Sequence, residues 1–176
     1  PVIKNLVPFA PFDFYIKRKL YIHNMGHATC AYLGDLLGLE YIYQSIDVPE
    51  VRIVVQNAMI ESAMALHKKY DVALDGILMH ITDLLHRFTN AALKDTCKRV
   101  GGDPGRKLSP ADRLIGSASL ALEQGVTPAY IALGAAAGLR RYIDEAEGME
   151  QGMDAAKKVR AEVSELKAED KLAGMI

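Results

Sequence analysis

Cysteine is scarce in this chain: Cys30 and Cys97 are the only two among 176 residues. Two thiols cannot make a disulfide framework, so a reduced cytoplasm is the expected setting. No apolar run approaches the length needed to span a bilayer, and the start shows no signal-peptide pattern. Neither sign of charge dominates, with 21 Lys and Arg against 22 Asp and Glu. Composition therefore gives no electrostatic reason to expect a nucleic-acid or membrane partner. A Gly-x-Gly-x-x-Gly turn between a strand and a helix is also missing, which excludes a self-contained dinucleotide-binding unit. Gly101-Gly-Asp-Pro-Gly105 reads as a helix-breaking loop, and Gly134-Ala-Ala-Ala-Gly138 sits inside an alanine-rich helical run. No clear β pattern appears either. Tyr41 to Ile46 is the only candidate, and it reads as irregular.

What remains is helical. With half its residues hydrophobic, the chain is long enough for one domain with a real core, and the expected class is an all-α, multi-helical single domain over residues 1–176. Pro11-Phe12-Asp13 opens a first helix that runs unbroken to Gly34, with Asp13 complementing the exposed N–H groups of its first turn. Asp47-Val-Pro-Glu50 predicts the next helix, with Asp47 as its N-cap, which carries Val51, Val54, Val55, Ala58, Met59, Ser62 and Leu66 on one side and ends near Tyr70. Its methionines read as plain core. Leu74 to Phe88 follows, with Ile77, Ile81, Leu84 and Leu85 at helical spacing. A short helix is expected from about Ala91 to Val100, then a loop from Gly101 to Leu108. Ser109-Pro110 predicts a helix to about Gly125, and Thr127-Pro128 one to about Glu145, closely packed because it is rich in Ala and Gly. A charged, mostly solvated helix closes the chain from about Asp154 to Leu172.

The chemistry concentrates in Lys19-Leu-Tyr-Ile-His-Asn-Met-Gly-His27. At about 100° per residue, and with Lys19 at zero, His23 falls near ~40°, His27 near ~80° and Asn24 near ~140°. An amine, two imidazoles and a carboxamide thus share one helix face. Taken singly, each admits a plainer role, as a solvated lysine, a surface asparagine or a core histidine. His23 and His27 also have the i, i+4 spacing of a zinc-binding helix. Asn24 replaces the glutamate of that motif, however, and no third ligand cluster is evident, so no metal is expected.

Lys19, Asn24 and His27 form the pattern Lys-x4-Asn-x2-His, which resembles the signature of the polyol-specific long-chain dehydrogenase/reductase family. Pro8-Phe-Ala-Pro-Phe-Asp-Phe-Tyr-Ile-Lys-Arg-Lys19, Arg87-Phe-Thr-Asn90 and Arg106-Lys-Leu-Ser-Pro-Ala-Asp-Arg113 are similar to stretches of the same family. The resemblance covers essentially the whole chain but only the C-terminal half of the family's enzymes. The chain begins Pro-Val-Ile without an initiator Met, and reads as a fragment cut at an interdomain boundary. The resemblance implies an NAD-dependent oxidoreductase whose cofactor is held mainly by an N-terminal Rossmann domain of the same protein, so that the fragment alone is inactive.

Oxidising a secondary alcohol without a metal requires a base and a group to hold the developing negative oxygen. By resemblance Lys19 is that base, Asn24 donates a hydrogen bond to the reacting oxygen, and His27 positions substrate hydroxyls. A sugar-alcohol phosphate substrate further needs a cationic anchor. Arg87 is the leading candidate, at a helix end in Arg-x-x-Asn, with Arg106, Lys107 and Arg113 next; Lys94 and Arg18 are weaker candidates. The alternatives are a dehydrogenase domain for an unphosphorylated polyol or a uronate, and a non-catalytic helical interaction module.

Overall fold

The computed structural model describes residues 11–146 and 148–176; Pro8 to Ala10 of the first family-like stretch lie outside them. The first helix runs as one rod from α1 (Phe12–Arg18) through a π-helical segment (Lys19–Asn24) into α2 (Met25–Leu36), and Arg18 and Met25 both keep right-handed helical dihedrals. α2 lies at the centre of the fold. It packs against α3 (Ile42–Asp47), α4 (Pro49–Tyr70), α6 (Cys97–Gly101) and α9 (Ala129–Glu145). α5 (Leu74–Phe88) and α8 (Ile115–Glu123) cover α4 from other sides, while α10 (Met153–Glu162) rests on α9. Among the described residues there is no β-strand, and no helix is long and apolar enough to cross a membrane.

The centre is reached through small residues. Gly134 and Gly138 are one turn apart on α9 and face Thr29 and Tyr32 of α2. A Cβ on Gly138 would lie 2.9 Å from Tyr32 Cε2 and 3.4 Å from Leu114 Cδ1. Tyr32 is 1% exposed, so its ring has nowhere to go. The alanine and glycine content of α9 is therefore what lets the two backbones approach. Glu61 ties α9 to α4 as well: its buried carboxylate accepts hydrogen bonds from Tyr130 N (3.0 Å) and Ile131 N (3.0 Å). Those two N–H groups are among the orphan donors of the α9 first turn, and a carboxylate there also complements the helix dipole.

Local structure departs from the sequence expectations at several points. Tyr41 to Ile46 is helical rather than irregular: α3 starts at Ile42, and Gln44 Oε1 accepts from Tyr41 N at 3.0 Å. The α4 N-cap is Val48 rather than Asp47, with Pro49 at the first helical position. The helix expected from Ala91 to Val100 is split. Asn90 caps a 3₁₀ turn (Ala91–Leu93), Lys94 adopts left-handed φ 48°, and Thr96 caps α6. Two polar caps so close together compete with a continuous helix for the same backbone groups. The loop expected over residues 101–108 contains α7 (Pro104–Lys107), capped by Asp103. After Ser109 the chain makes turns, and α8 begins only at Ile115. The last helix ends at Glu162, and the segment beyond it turns back to bury Leu172 and Ala173.

An isolated antiparallel bridge pairs Tyr41 with Thr96. Ile42 N donates to Asp95 O (2.9 Å) and Cys97 N to Glu40 O (2.8 Å). This clip pins the segment after α5 against the front of α3, beside the first helix.

Two glycine substitutions separate packing from propensity. Gly138→Ala is expected to destabilise by about 1–3 kcal/mol through overpacking against Tyr32. Gly76→Ala, on the open face of α5 where a Cβ meets nothing within 4 Å, is expected to stabilise by about 0.5–1 kcal/mol. Chemical denaturation of both variants measures this, and a Gly138→Ala protein as stable as wild type would contradict the account of the α2–α9 contact.

Candidate active site

The signature residues straddle the π-helical segment. There the Met25 N–H reaches Leu20 O, five residues back. Each residue of such a widened turn rotates less than in an α-helix, so the angles expected from a regular helix shift at Asn24 and beyond. Single π turns inside α-helices recur at functional sites because they re-aim side chains without ending the helix.

A cavity of about 290 Å³ opens beside this segment. His23, Asn24 and His27 line one wall, and Ile42 and Tyr43 of α3 another. The end of α5 and the clip close it with Arg87, Phe88, Asn90, Leu93 and Asp95. Phe88 is the floor of the imidazole pair. His27 stacks on it at 4.8 Å between centroids with an interplanar angle of 22°, and His23 lies 6.0 Å from the same ring. His27 Nε2 is 3.6 Å from Asp95 Oδ2, and the other oxygen of Asp95 pairs with Arg99.

Burial holds the pKa of His27 down, at about 4, helped by neighbouring His23 and opposed by Asp95. His27 is accordingly a neutral imidazole at pH 7, able to donate from one nitrogen and accept at the other. His23 is also pushed down, first by burial and then by Arg87, His80, Lys19 and Arg113 around it. Arg87, Lys19 and Arg113 thus make the surroundings of His23 cationic, whereas beside His27 the Asp95 carboxylate is paired with Arg99.

The expected site residues are distributed as follows. Asn24, His27 and Arg87 come together on the cavity. Arg87 is 58% exposed, and among the described residues its ion pair is a long one to Asp83 at 3.8 Å. Lys19 is exposed at the start of the π-helical segment and is not among the lining residues. Arg106, Lys107 and Arg113 do not line the cavity either. Arg106 pairs with Asp103 (2.7 Å) and Asp112 (3.2 Å), and Arg113 pairs with Asp112 (2.8 Å). Lys107 is buried, and its pKa is lowered first by that burial and then by Arg113 and Arg106. Arg113 still lies close enough to weigh on both His23 and His27. Among the described residues, no three His, Cys, Asp or Glu side chains are grouped to hold a metal.

Sequence reasoning missed Tyr43 and Asp95. Both reach the cavity through the Tyr41–Thr96 bridge, a contact across more than fifty residues that leaves no local pattern. Phe88 and Asn90 lay inside the Arg87-Phe-Thr-Asn90 stretch, where their presence but not their role was visible.

A family model described as the mannitol dehydrogenase C-terminal domain matches residues 12–176. The chain is 46% identical over 125 residues to the mannitol-1-phosphate 5-dehydrogenase of Caldanaerobacter subterraneus subsp. tengcongensis, covering 71% of this chain and 32% of that protein. It is 44% identical over 124 residues to the protein of the same name from Thermoanaerobacter pseudethanolicus, covering 70% and 32%. With that of Clostridium acetobutylicum it shares 37% over 169 residues, covering 93% and 44%. The chain thus spans between a third and a half of the length of these relatives. From the Lys-x4-Asn-x2-His helix to the last buried turn, it belongs to the mannitol dehydrogenase C-terminal domain family.

Proposed function

We propose that this chain is the substrate-binding and catalytic-base domain of an NAD-dependent polyol phosphate dehydrogenase that interconverts D-mannitol 1-phosphate and D-fructose 6-phosphate in the cytoplasm. The observation that carries the reading is the convergence of Asn24, His27, Arg87 and Asn90, from two stretches over sixty residues apart, on one cavity. The relatives, which are mannitol-1-phosphate 5-dehydrogenases, support the choice of substrate.

Among the described residues, neither glycine-rich stretch is a turn between a strand and a helix. Gly101 to Gly105 spans the join of α6 and α7, and Gly134 and Gly138 are occupied by Thr29 and Tyr32. The reading therefore assigns NAD, which accepts the hydride, to an N-terminal Rossmann domain of the same protein.

Within this chain the work divides by position. Lys19 Nζ takes the proton of the reacting hydroxyl. A lysine serves in that role when it is taken out of water near other positive charge. The exposed Lys19 face meets this condition if a cofactor domain closes over it. The Asn24 amide donates to the oxygen on which negative charge develops. Neutral His27 binds a neighbouring hydroxyl without adding a charge. Arg87 offers a planar guanidinium to the phosphate at the cationic end.

Three outcomes follow in the full-length enzyme. Lys19→Ala is expected to lower kcat by roughly 10²–10⁴ while NAD binding is retained; near-normal turnover at saturating substrate would make Lys19 structural. Arg87→Ala should weaken mannitol 1-phosphate by about ten- to a hundredfold and free mannitol far less, because charge-assisted hydrogen bonds are lost only with the phosphate. Equal losses in kcat/KM on both substrates would move the anchor elsewhere. The third outcome concerns pH. His27 has a folded pKa near 4 against 6.5 when free, so the unfolded chain binds the extra proton first. Stability should therefore fall as pH drops from about 6.5 towards 4, and His27→Gln should flatten that slope in denaturant titrations. An unchanged slope would contradict the buried neutral imidazole.

A further inference from the structure

We propose that Asp95 is a substrate-binding residue which, together with His27, forms a two-point clamp for one hydroxyl of the polyol chain. The inference rests on the dehydrogenase reading and assigns this end of the same cavity. His27 Nε2 and Asp95 Oδ2 both line the cavity and stand 3.6 Å apart. That is too long for a good direct hydrogen bond. It leaves both groups free to turn to one shared oxygen seated against them. A neutral imidazole facing a carboxylate carries its hydrogen on the nitrogen nearer the carboxylate, because the other tautomer would set a lone pair against negative charge. The clamp is then complementary to a hydroxyl and to little else: the oxygen accepts from His27 Nε2–H, and its proton is donated to Asp95 Oδ2.

Both halves of the clamp are held in place. Phe88 stacks under the His27 ring, fixing its plane. Arg99 takes Asp95 Oδ1 and leaves Oδ2 turned towards His27. The backbone on either side of Asp95 is pinned by its own carbonyl, which accepts from Ile42 N, and by Cys97 N on Glu40 O. Left-handed Lys94 sets the turn that brings the carboxylate in. The side chains of His27 and Asp95 remain 21% and 24% exposed, so a ligand can reach them.

The clamp also discriminates. At this end Asp95 Oδ2, the oxygen that Arg99 leaves free, can only accept, and so suits a hydroxyl and not a phosphate oxygen, whereas the guanidinium of Arg87 attracts an anion at the other. A polyol phosphate is thus oriented with its phosphate towards Arg87 and its hydroxyls towards Asp95.

The test uses the full-length enzyme and a set of polyol phosphates, each lacking one hydroxyl. Wild type should lose about tenfold or more in kcat/KM with the analogue that lacks the clamped hydroxyl. Asp95→Asn should lose a comparable factor with the complete substrate and almost nothing further with that one analogue, as in a double-mutant cycle. NAD affinity and the melting temperature check that the fold is kept. Equal sensitivity of every analogue to the substitution, or an Asp95→Asn enzyme as good as wild type, would overturn the proposal. Should the substitution prevent folding, wild type alone decides through deoxyfluoro analogues. At the clamped position a fluorine accepts from His27 but cannot donate to Asp95, so it should bind worse than hydrogen; fluorine as good as or better than hydrogen at every position overturns the clamp. A wild-type enzyme inert towards all polyol phosphates fails the dehydrogenase reading itself, a result distinct from an active enzyme indifferent to Asp95.

Discussion

The close approach of α9 to α2 is the constraint on which the rest of the structure depends. Gly134 and Gly138 remove the side chains that would hold the two helices apart, and Thr29 and Tyr32 fill the space. Interiors packed as densely as crystals do not tolerate an added methyl where an aromatic ring is already fully enclosed. Glu61 fastens the same helix to α4 by bonding the first-turn N–H groups of α9. Between them these contacts hold α2 in the middle of the fold. The helix that carries every residue of the Lys-x4-Asn-x2-His pattern is therefore held by core packing, while its N-terminal half is left to present chemistry.

That chemistry is graded along the helix by the π-helical segment. Lys19 stays at the surface, and Asn24 and His27 turn into a cavity walled by the ends of α3 and α5. The cavity is electrically uneven. Arg87, Lys19 and Arg113 act on His23, and a carboxylate that Arg99 shares stands by His27. The proposed substrate, elongated with an anionic end and a string of hydroxyls, matches that gradient.

Much of this was legible in the sequence, for identifiable reasons. The long helices announced themselves through period and caps: Pro49 and Pro128 begin helices, and the Ile77, Ile81, Leu84, Leu85 stripe is buried. The polar face of the first helix was readable because its members are near neighbours in the chain. The failures share a different physics. Tyr41 to Ile46 looked irregular because its helix is short and its cap is a Tyr41–Gln44 pair rather than a Ser, Thr, Asp or Asn, and the bridge to Thr96 holds its start. The final helix looked longer because alternating Lys and Glu suit a helix, yet burial of Leu172 and Ala173 wins. Asp95 was invisible because only the fold brings it to His27. Arg106 and Arg113 looked like free cations, although Asp103 and Asp112 stand within a few residues of them in the chain; the turns around α7 are what bring these neighbours into ion pairs.

The central claim is that the cavity between the π-helical segment and the end of α5 is where the sugar-alcohol phosphate binds and reacts. A crystal structure of the full-length enzyme with NAD and the polyol phosphate tests it most directly. The account predicts the reacting hydroxyl within hydrogen-bond reach, about 2.6–3.2 Å, of Lys19 Nζ and the Asn24 amide, with the phosphate on Arg87. A substrate bound outside this cavity, for instance in the surface cleft between Gly148 and Lys158, or with Lys19 turned away from it, would contradict the account.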